Sequence, residues 1–242
     1  MSIYHAMCAG LASLWFFSVS ALAGISLDGT RIVFSESNAT QGQSIGVTSN
    51  LQSTTPYLVK AQVLGDVQGT QTQTPFSVTP SLFRLEPGST NQLRILKTGE
   101  QTLPRDKESV FYLRVMALPA GQNGNDASKT ELGGAITVST GSVIKLFYRP
   151  SGLSMTQQHA MESLQFSRKG TVLRITNPSP YFVTLSSVTV GGKAIPMSVR
   201  EQNTMIAPFG EMNYSDVNTM GKVTWQAIND FGGKDIFYGF VQ

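Results

Sequence analysis

Side chains that could carry out acid-base, nucleophilic or metal chemistry are scarce in this sequence. Its only cysteine is Cys8, and its two histidines are His5 and His159. A histidine-based catalytic triad in the main part of the chain would have to use His159, which lies in a polar stretch where a surface position is expected. Zinc sites need several His or Cys ligands, so this inventory fails for zinc as well. The residue types predict a protein that is not an enzyme and that holds no metal and no cofactor.

The segment Gly191-Gly192-Lys193 comes closest to a phosphate-binding loop. Ala194 follows it where a Ser or Thr is required, and Ser187 stands where the earlier glycine of such a loop would be. Two consecutive glycines between apolar stretches are typical of a hairpin turn. We therefore expect a turn here and no nucleotide site.

The charge pattern gives no sign of a nucleic-acid partner. The net charge is +3, and the 18 Lys and Arg residues are dispersed among 15 Asp and Glu residues without a polybasic run. Beyond the first 23 residues no apolar run approaches the roughly 18 residues of a membrane-spanning helix. We therefore expect neither nucleic-acid binding nor membrane insertion of the mature chain.

The first 23 residues have the features of a cleaved secretory signal. An apolar core at 11–19 precedes Ala21-Leu22-Ala23, a small-x-small pattern that signal peptidase accepts, although Lys and Arg are absent before the core. An uncleaved anchor is the alternative, but this core is short for a spanning helix. We expect cleavage after Ala23 and export. Because Cys8 lies in the signal, the exported chain could form no disulfide.

The rest of the sequence predicts an all-β protein. Short segments rich in Val, Ile, Phe, Thr and Tyr alternate with turn residues, as immunoglobulin-like sandwiches require, and the chain is long enough for two such domains. The predicted strands are residues 27–34, 45–50, 57–64, 76–79, 82–85, 92–96, 109–117 and 136–148, then 164–167, 172–176, 181–190, 205–206, 211–214, 223–228 and 236–241. We place a domain boundary near residue 150 and an exposed loop at 120–134.

The strand predicted at 136–148 changes character along its length. Ile136, Val138 and Thr140 alternate with small or polar residues, which indicates one apolar face. From residue 143 onward the strand is almost wholly apolar, which is typical of burial on both faces. The first half is therefore a candidate edge strand that could pair with another chain.

Seven blocks of this sequence, in this order, strongly resemble the PapD-like periplasmic pilus (fimbrial) chaperones of the chaperone-usher pathway. They are SLDGTRIVF (26–34), PYLVKA (56–61), VTPSLFRLEPG (78–88), LPRDKESVFYLRV (103–115), IKLFYRP (144–150), ITNPSPYFVTL (175–185) and INDFGG (228–233). The resemblance implies two immunoglobulin-like β-sandwich domains, residues 24–149 and 150–242, arranged at an angle around a cleft. It also implies a chaperone that works without ATP, binds pilus subunits and delivers them to an outer-membrane usher.

The resemblance assigns roles to two sets of residues that bind the subunit. Arg31 and Lys145 match the pair that anchors a subunit's C-terminal carboxylate in the cleft; otherwise both would be surface cations. Ile136, Val138 and Thr140 match the donor strand that completes the subunit's unfinished sandwich. Relatives often carry a bulkier aliphatic residue at the position of Thr140, and Gly141 after it is expected to form a bulge. The alternative for this segment is an ordinary edge strand covered by the chain's own loop.

A third set matches the ion pairs that fix the angle between the family's two domains. Its members are Glu108, Arg149 and Asp230, and the alternative is three unrelated surface charges. The absence of cysteine favours the family's short-loop type, although the loop at 120–134 is longer than usual for it.

Two further questions stay open at this stage. The competing function is that of a secreted pilus subunit or adhesin, but strand patterning begins at Leu27 and leaves little room for the N-terminal extension of a subunit. Whether the free protein forms a self-dimer over its apolar edge is also undecided.

Overall fold

The computed structural model describes residues 24–120 and 139–242, and these residues form an all-β protein, as the sequence predicts. Within the two ranges, no helix has the length and apolar character needed to cross a membrane. The strands before residue 150 are β1 (Ile25–Leu27), β2 (Arg31–Ser35), β3 (Gln43–Ser49), β4 (Tyr57–Leu64), β5 (Phe76–Thr79), β6 (Leu82–Leu85), β7 (Thr90–Lys97), β8 (Ser109–Pro119) and β9 (Thr140–Arg149). After it come helix α1 (Gln157–Glu162) and strands β10 (Gln165–Lys169), β11 (Val172–Thr176), β12 (Val183–Val190), β13 (Lys193–Ala194), β14 (Met205–Ile206), β15 (Glu211–Tyr214), β16 (Lys222–Ile228) and β17 (Lys234–Phe240).

The first sandwich consists of two sheets with the strand orders β1-β3-β7-β5 and β2-β9-β8-β4-β6. Strands β2 and β9 pair in parallel, whereas the other strand pairs of the described residues are antiparallel. This parallel register sets Arg31 beside Lys145 and Ser35 beside Arg149. The second strand of the chain thus lies against the last strand of the same sandwich.

Side-chain alternation builds the core between these sheets. In β4, Val59 and Ala61 are buried while Lys60 between them is exposed, as the pleat of a half-buried strand dictates. Phe76 meets Phe34 and Phe111 edge to face, with ring centroids 5.1 and 5.0 Å apart. These rings and the aliphatic residues around them form one continuous core under the cleft-facing sheet.

The second sandwich has its own core, centred on Trp225. Its sheets have the orders β10-β11-β15 and β13-β12-β16-β17, with β14 also paired to β12. The indole of Trp225 packs between Phe166 and Phe237, with ring centroids 4.7 and 5.7 Å away. Its Nε1 donates a hydrogen bond to the carbonyl oxygen of Met161 at the C-terminal end of α1, at 2.9 Å. This contact joins α1 to the sheet, although the sequence has no helical periodicity of useful length.

The prediction of one strand across 27–34 is wrong. β1 pairs with β3 in one sheet and β2 pairs with β9 in the other, so the chain changes sheets between them. Gly29 lies in this crossover, where an added Cβ would be 3.3 Å from the carbonyl oxygen of Arg31. Both segments have the residue types of a strand, so the sequence does not reveal the break.

Strand β9 agrees with the prediction at its C-terminal end. Leu146, Phe147 and Tyr148 are all buried, as expected of a strand covered on both faces. The expected bulge at Gly141 is wrong, because β9 pairs with β8 in unbroken register. Gly141 instead allows the backbone of β9 to lie close to β8, because a Cβ at this position would be only 2.8 Å from the carbonyl oxygen of Val115.

The predicted hairpin turn at Gly191-Gly192 is confirmed. Val190 pairs with Lys193, and the two glycines between them have φ angles of 56° and 80°. Positive φ at both central residues is what a type I′ hairpin requires.

Candidate functional site

A cleft of about 490 Å³ opens between the two sandwiches. Arg31 and Lys145 lie in one wall, and residues of β12, including Thr184 and Ser186, lie in the other. Because Arg31 and Lys145 are register partners on adjacent strands about 4.8 Å apart, their side chains leave the sheet on the same face. The structure therefore brings the two cations of the predicted anchor together.

Arg31 is held in place by the second sandwich and by an aromatic ring. Its Nη1 donates to the carbonyl oxygen of Ile228 at 2.9 Å, and its guanidinium carbon lies 5.6 Å from the ring centroid of Phe147. Burial lowers the pKa of Arg31, although the charges of Asp230 and Glu108 oppose this effect. Arginine remains charged at any working pH, so the guanidinium is a fixed cation with part of its donor set still available.

Lys145 is the more unusual of the two cations. Burial lowers its pKa from 10.5 to about 8, and the positive charge of Arg31 adds to the effect. Among the described residues, no carboxylate lies within ion-pair distance of either Lys145 or Arg31. Two half-buried cations side by side repel each other, and an anion bound between them would relieve that repulsion.

The lowered pKa of Lys145 predicts a pH dependence of folding. Between about pH 8 and pH 10.5 the folded state binds fewer protons than the unfolded state, so the free energy of unfolding must rise with pH in this window. Below about pH 8 both states are charged, and the full cost of burying the ammonium is present. Urea unfolding at pH 7.5 and pH 10 should show this rise for the wild type.

The matched variant for this measurement is Lys145→Met, which keeps the aliphatic stem and removes the charge. Its stability should be at least that of the wild type at pH 7.5, and it should lack the part of the rise that comes from Lys145. An equal rise in both proteins would mean that Lys145 titrates normally.

The three residues of the predicted interdomain set also meet. Arg149 donates from Nε to Glu108 Oε1 at 2.7 Å, and from Nη1 and Nη2 to the two carboxylate oxygens of Asp230 at 2.7 and 2.8 Å. The second oxygen of Glu108 accepts from the backbone N–H of Phe182 at 2.9 Å. Glu108 directly precedes β8 and Arg149 ends β9, whereas Asp230 and Phe182 belong to the second sandwich, so the cluster spans the two.

Burial is the largest single influence on the pKa of both Glu108 and Arg149, but the balance with the opposing charges differs between them. It raises the pKa of Glu108, against the charge and hydrogen bond of Arg149 and the amide of Phe182. It also acts to lower the pKa of Arg149, but the hydrogen bond to Asp230 and the charge of Glu108 outweigh it and raise that pKa. A buried, bidentate arrangement of this kind is sensitive to the loss of any one partner.

Further contacts across the same boundary were not predicted. The rings of Phe147 and Phe182 lie 5.8 Å apart, and the guanidinium carbon of Arg149 lies 4.9 Å from the ring centroid of Tyr181. The carboxylate of Glu36 accepts from the backbone N–H of Ser151 at 2.8 Å. The aromatic residues in IKLFYRP and ITNPSPYFVTL were visible in the sequence, but nothing in it indicated that they touch.

The predicted donor strand is only partly described. Ile136 and Val138 lie outside the described residues, and their role stays a prediction. Thr140 begins β9 opposite the buried Ala117 of β8. Since β2 joins β9 only from Lys145 onward, residues 140–144 have β8 as their one strand partner in the described parts of the chain. Their other side is a sheet edge that leads directly to Lys145.

The candidate groups for catalysis and metal binding in the described residues are His159, Ser44 and clusters of His, Cys, Asp and Glu. His159 is exposed on α1, 3.8 Å from the carboxylate of Glu162. Residues 42–46 read G-x-S-x-G, but Ser44 lies inside β3 opposite Arg94 rather than at the strand-to-helix turn of a nucleophile elbow. Residues 24–120 and 139–242 contain no group of three His, Cys, Asp or Glu side chains able to hold a metal ion.

Two family models match this chain. The model described as "Pili and flagellar-assembly chaperone, PapD N-terminal domain" matches residues 24–154, and "Pili assembly chaperone PapD, C-terminal domain" matches residues 159–236. The chain is 34% identical over 213 residues to the probable fimbrial chaperone protein ElfD of Escherichia coli O157:H7, a match that covers 87% of this chain and 84% of ElfD.

Solved structures agree with the family models. A chain in the structure of the Salmonella enterica SafA pilin in complex with the SafB chaperone is similar with a TM-score of 0.75 and 29% identity, over 90% of this chain and 97% of that one. The E. coli chaperone DraB is similar with a TM-score of 0.74 and 32% identity, over 91% and 97%. The chain therefore belongs to the PapD family of pilus assembly chaperones of the chaperone-usher pathway.

Proposed function

We propose that this chaperone, whose family is not enzymatic, captures pilus subunits in the periplasm by gripping their C-terminal carboxylate between Arg31 and Lys145. The observation that carries the proposal is the pair of half-buried cations placed side by side by the parallel pairing of β2 with β9. A carboxylate accepts several hydrogen bonds, and a guanidinium and an ammonium supply complementary donors. Each such charge-assisted bond contributes about 1.5–3 kcal/mol.

The second part of the proposal is the loan of a strand. With the carboxylate anchored at Lys145, the subunit chain would run along the open edge at 140–144 and pair with it. On the family pattern, Ile136, Val138 and Thr140 would fill the gap in the subunit's core until an outer-membrane usher exchanges them for another subunit's extension. The similar SafB chaperone was solved with a pilin bound, which supports a subunit as partner.

The remaining parts of the proposal concern location and domain limits. Cleavage after Ala23 would release the mature chaperone into the periplasm, where subunits emerge. The division into residues 24–149 and 150–242 is supported by separate hydrophobic cores on the two sides of residue 150.

Co-expression with the subunits of the same pilus system tests the proposal. The tagged wild-type chaperone should capture subunits that mass spectrometry can identify. The reason is that its donor strand would cover the open apolar groove of the subunit. A variant with both Ile136→Ser and Val138→Ser should capture far less while its own melting temperature stays unchanged.

Three results would count against the proposal or a part of it. A wild-type chaperone that captures no subunit, although subunits are present in the extract, would refute the function. A large drop in melting temperature of the double variant would make these two residues part of the chaperone's own core. Unchanged subunit levels together with a missing surface layer in a deletion strain would favour the adhesin alternative.

A further inference from the structure

The wall of the cleft opposite the two cations contains a buried hydroxyl that has no hydrogen-bond partner within residues 24–120 and 139–242. Among the described residues, four buried side-chain polar atoms lack partners: Arg31 Nε, Ser49 Oγ, Ser53 Oγ and Thr184 Oγ1. Two of these, Arg31 Nε and Thr184 Oγ1, belong to residues that line the same cleft from opposite sandwiches. Buried polar groups are normally paired, so this coincidence calls for a partner that both could share.

The position of Thr184 follows from the alternation of β12. Val183 and Leu185, on either side of it, contribute to the core of the second sandwich. Thr184 therefore faces the other way, toward the cleft, and it is only 4% exposed. Its backbone is fixed by pairing with Met205 of β14, so the hydroxyl is carried on a rigid element.

The chemistry of the surrounding groups indicates what this hydroxyl binds. Arg31 and Lys145 are donors only and offer no acceptor to each other. A carboxylate has about four lone-pair sites, which is more than one ammonium and one guanidinium nitrogen would occupy. A threonine O–H facing the same space can donate to one of the remaining sites.

We propose that Thr184 is a positioning residue of the subunit site, donating a third hydrogen bond to the subunit's terminal carboxylate from the second sandwich. The inference rests on the proposed function, which supplies the carboxylate. The hydroxyl, which has no partner among the described residues, would then gain one from the bound subunit. Thr184 would make the grip depend on both sandwiches, because Arg31 and Lys145 both come from the first.

Replacing Thr184 by valine and by serine separates this role from packing. Thr184→Val keeps the shape and removes the hydroxyl, so the free protein should be as stable as the wild type or more stable. Its affinity for the subunit captured in the co-expression experiment should fall about 10-fold, as expected for the loss of one hydrogen bond to a charged group. Thr184→Ser keeps the hydroxyl and should retain nearly full affinity despite the lost methyl group.

A control on the same strand is Thr189→Val, since Thr189 Oγ1 already donates to the carbonyl oxygen of Thr224 and does not line the cleft. Its effect on subunit affinity should be negligible. Equal affinities for Thr184→Val and the wild type would overturn the inference, as would equal losses in the valine and serine variants.

A second form of the same subunit, extended by a few residues beyond its native C-terminus, distinguishes the two possible failures. If the wild-type chaperone binds the native and extended tails equally, the carboxylate grip itself fails, and the inference about Thr184 fails with it. If it prefers the native tail but Thr184→Val shows the same preference and affinity, only the role of Thr184 is refuted.

Discussion

Replacing Lys145 by methionine should reduce affinity for pilus subunits at least about 30-fold while leaving a folded protein. Truncating one member of a shielded, hydrogen-bonded charge pair costs about 2–5 kcal/mol, and each 1.4 kcal/mol is a factor of ten. Burial lowers the pKa of Lys145, which means that the charged ammonium is unfavourable in the free folded protein. Removal of this charge should therefore not destabilise the chaperone. Loss of binding with stability preserved is the signature of a ligand-binding residue.

The measurement is the yield of co-purified subunit together with a thermal melt of the free variant. Lys193→Met is the matched control, because Lys193 is exposed in the β12–β13 hairpin and does not line the cleft. It should leave both readouts unchanged. A normal complex yield with Lys145→Met would remove this residue from the anchor.

The second large effect concerns Arg149. Arg149→Met should lower the free energy of unfolding by about 3–5 kcal/mol, because it leaves the buried carboxylate of Glu108 and the half-buried one of Asp230 without their cation. The Glu108 side chain is only 2% exposed and cannot turn to water, and Asp230 across the boundary loses a bidentate partner. On the proposed function the variant should also bind subunits less well, because it loses two hydrogen bonds that join the first sandwich to the second.

Acidification provides an independent check on this explanation. Without Arg149, the buried Glu108 keeps a raised pKa and is more stable protonated than charged. A group whose pKa is raised by folding contributes stability that is present at low pH and is lost as the pH rises through the folded-state pKa. The deficit of Arg149→Met relative to the wild type should therefore shrink on moving from neutral to acidic pH.

An exposed ion pair is the control for the Arg149 variant. Arg84 and Glu86 lie 2.6 Å apart with side chains 62% and 58% exposed, so Arg84→Met should cost less than about 1 kcal/mol. Calorimetric scans of both variants give the comparison directly. Similar small losses in the two variants would show that the buried cluster contributes nothing special to stability.

The sequence predicts where most strands lie, but it does not predict which strands pair with each other. Segments such as Tyr57–Leu64 alternate so clearly that their place in a sheet follows from composition alone. The break between β1 and β2 was missed, because either sheet accepts the same residue types. The bulge expected at Gly141 is wrong for a similar reason. A sequence does not distinguish a glycine that is required for space from one that is required for its backbone conformation.

The contacts within the candidate site are also hidden from the sequence, because they join residues that are far apart along the chain. Family resemblance indicates Arg31 and Lys145, but only the parallel register explains why they lie side by side. The amide of Phe182, which binds Glu108, is a backbone group and has no sequence signal. Thr184 has no signal of its own within the block ITNPSPYFVTL, because its lack of a hydrogen-bond partner becomes visible only once burial is known.

The pairing of β2 with β9 also has a consequence for the time at which the proposed carboxylate site could form during export. Arg31 would emerge early from a translocation channel and Lys145 more than a hundred residues later, so the grip cannot form until the first sandwich closes. Thr184 comes later still. On the proposed function, a half-exported chaperone would therefore lack a complete site for the carboxylate of a subunit, because β9 has not yet paired with β2.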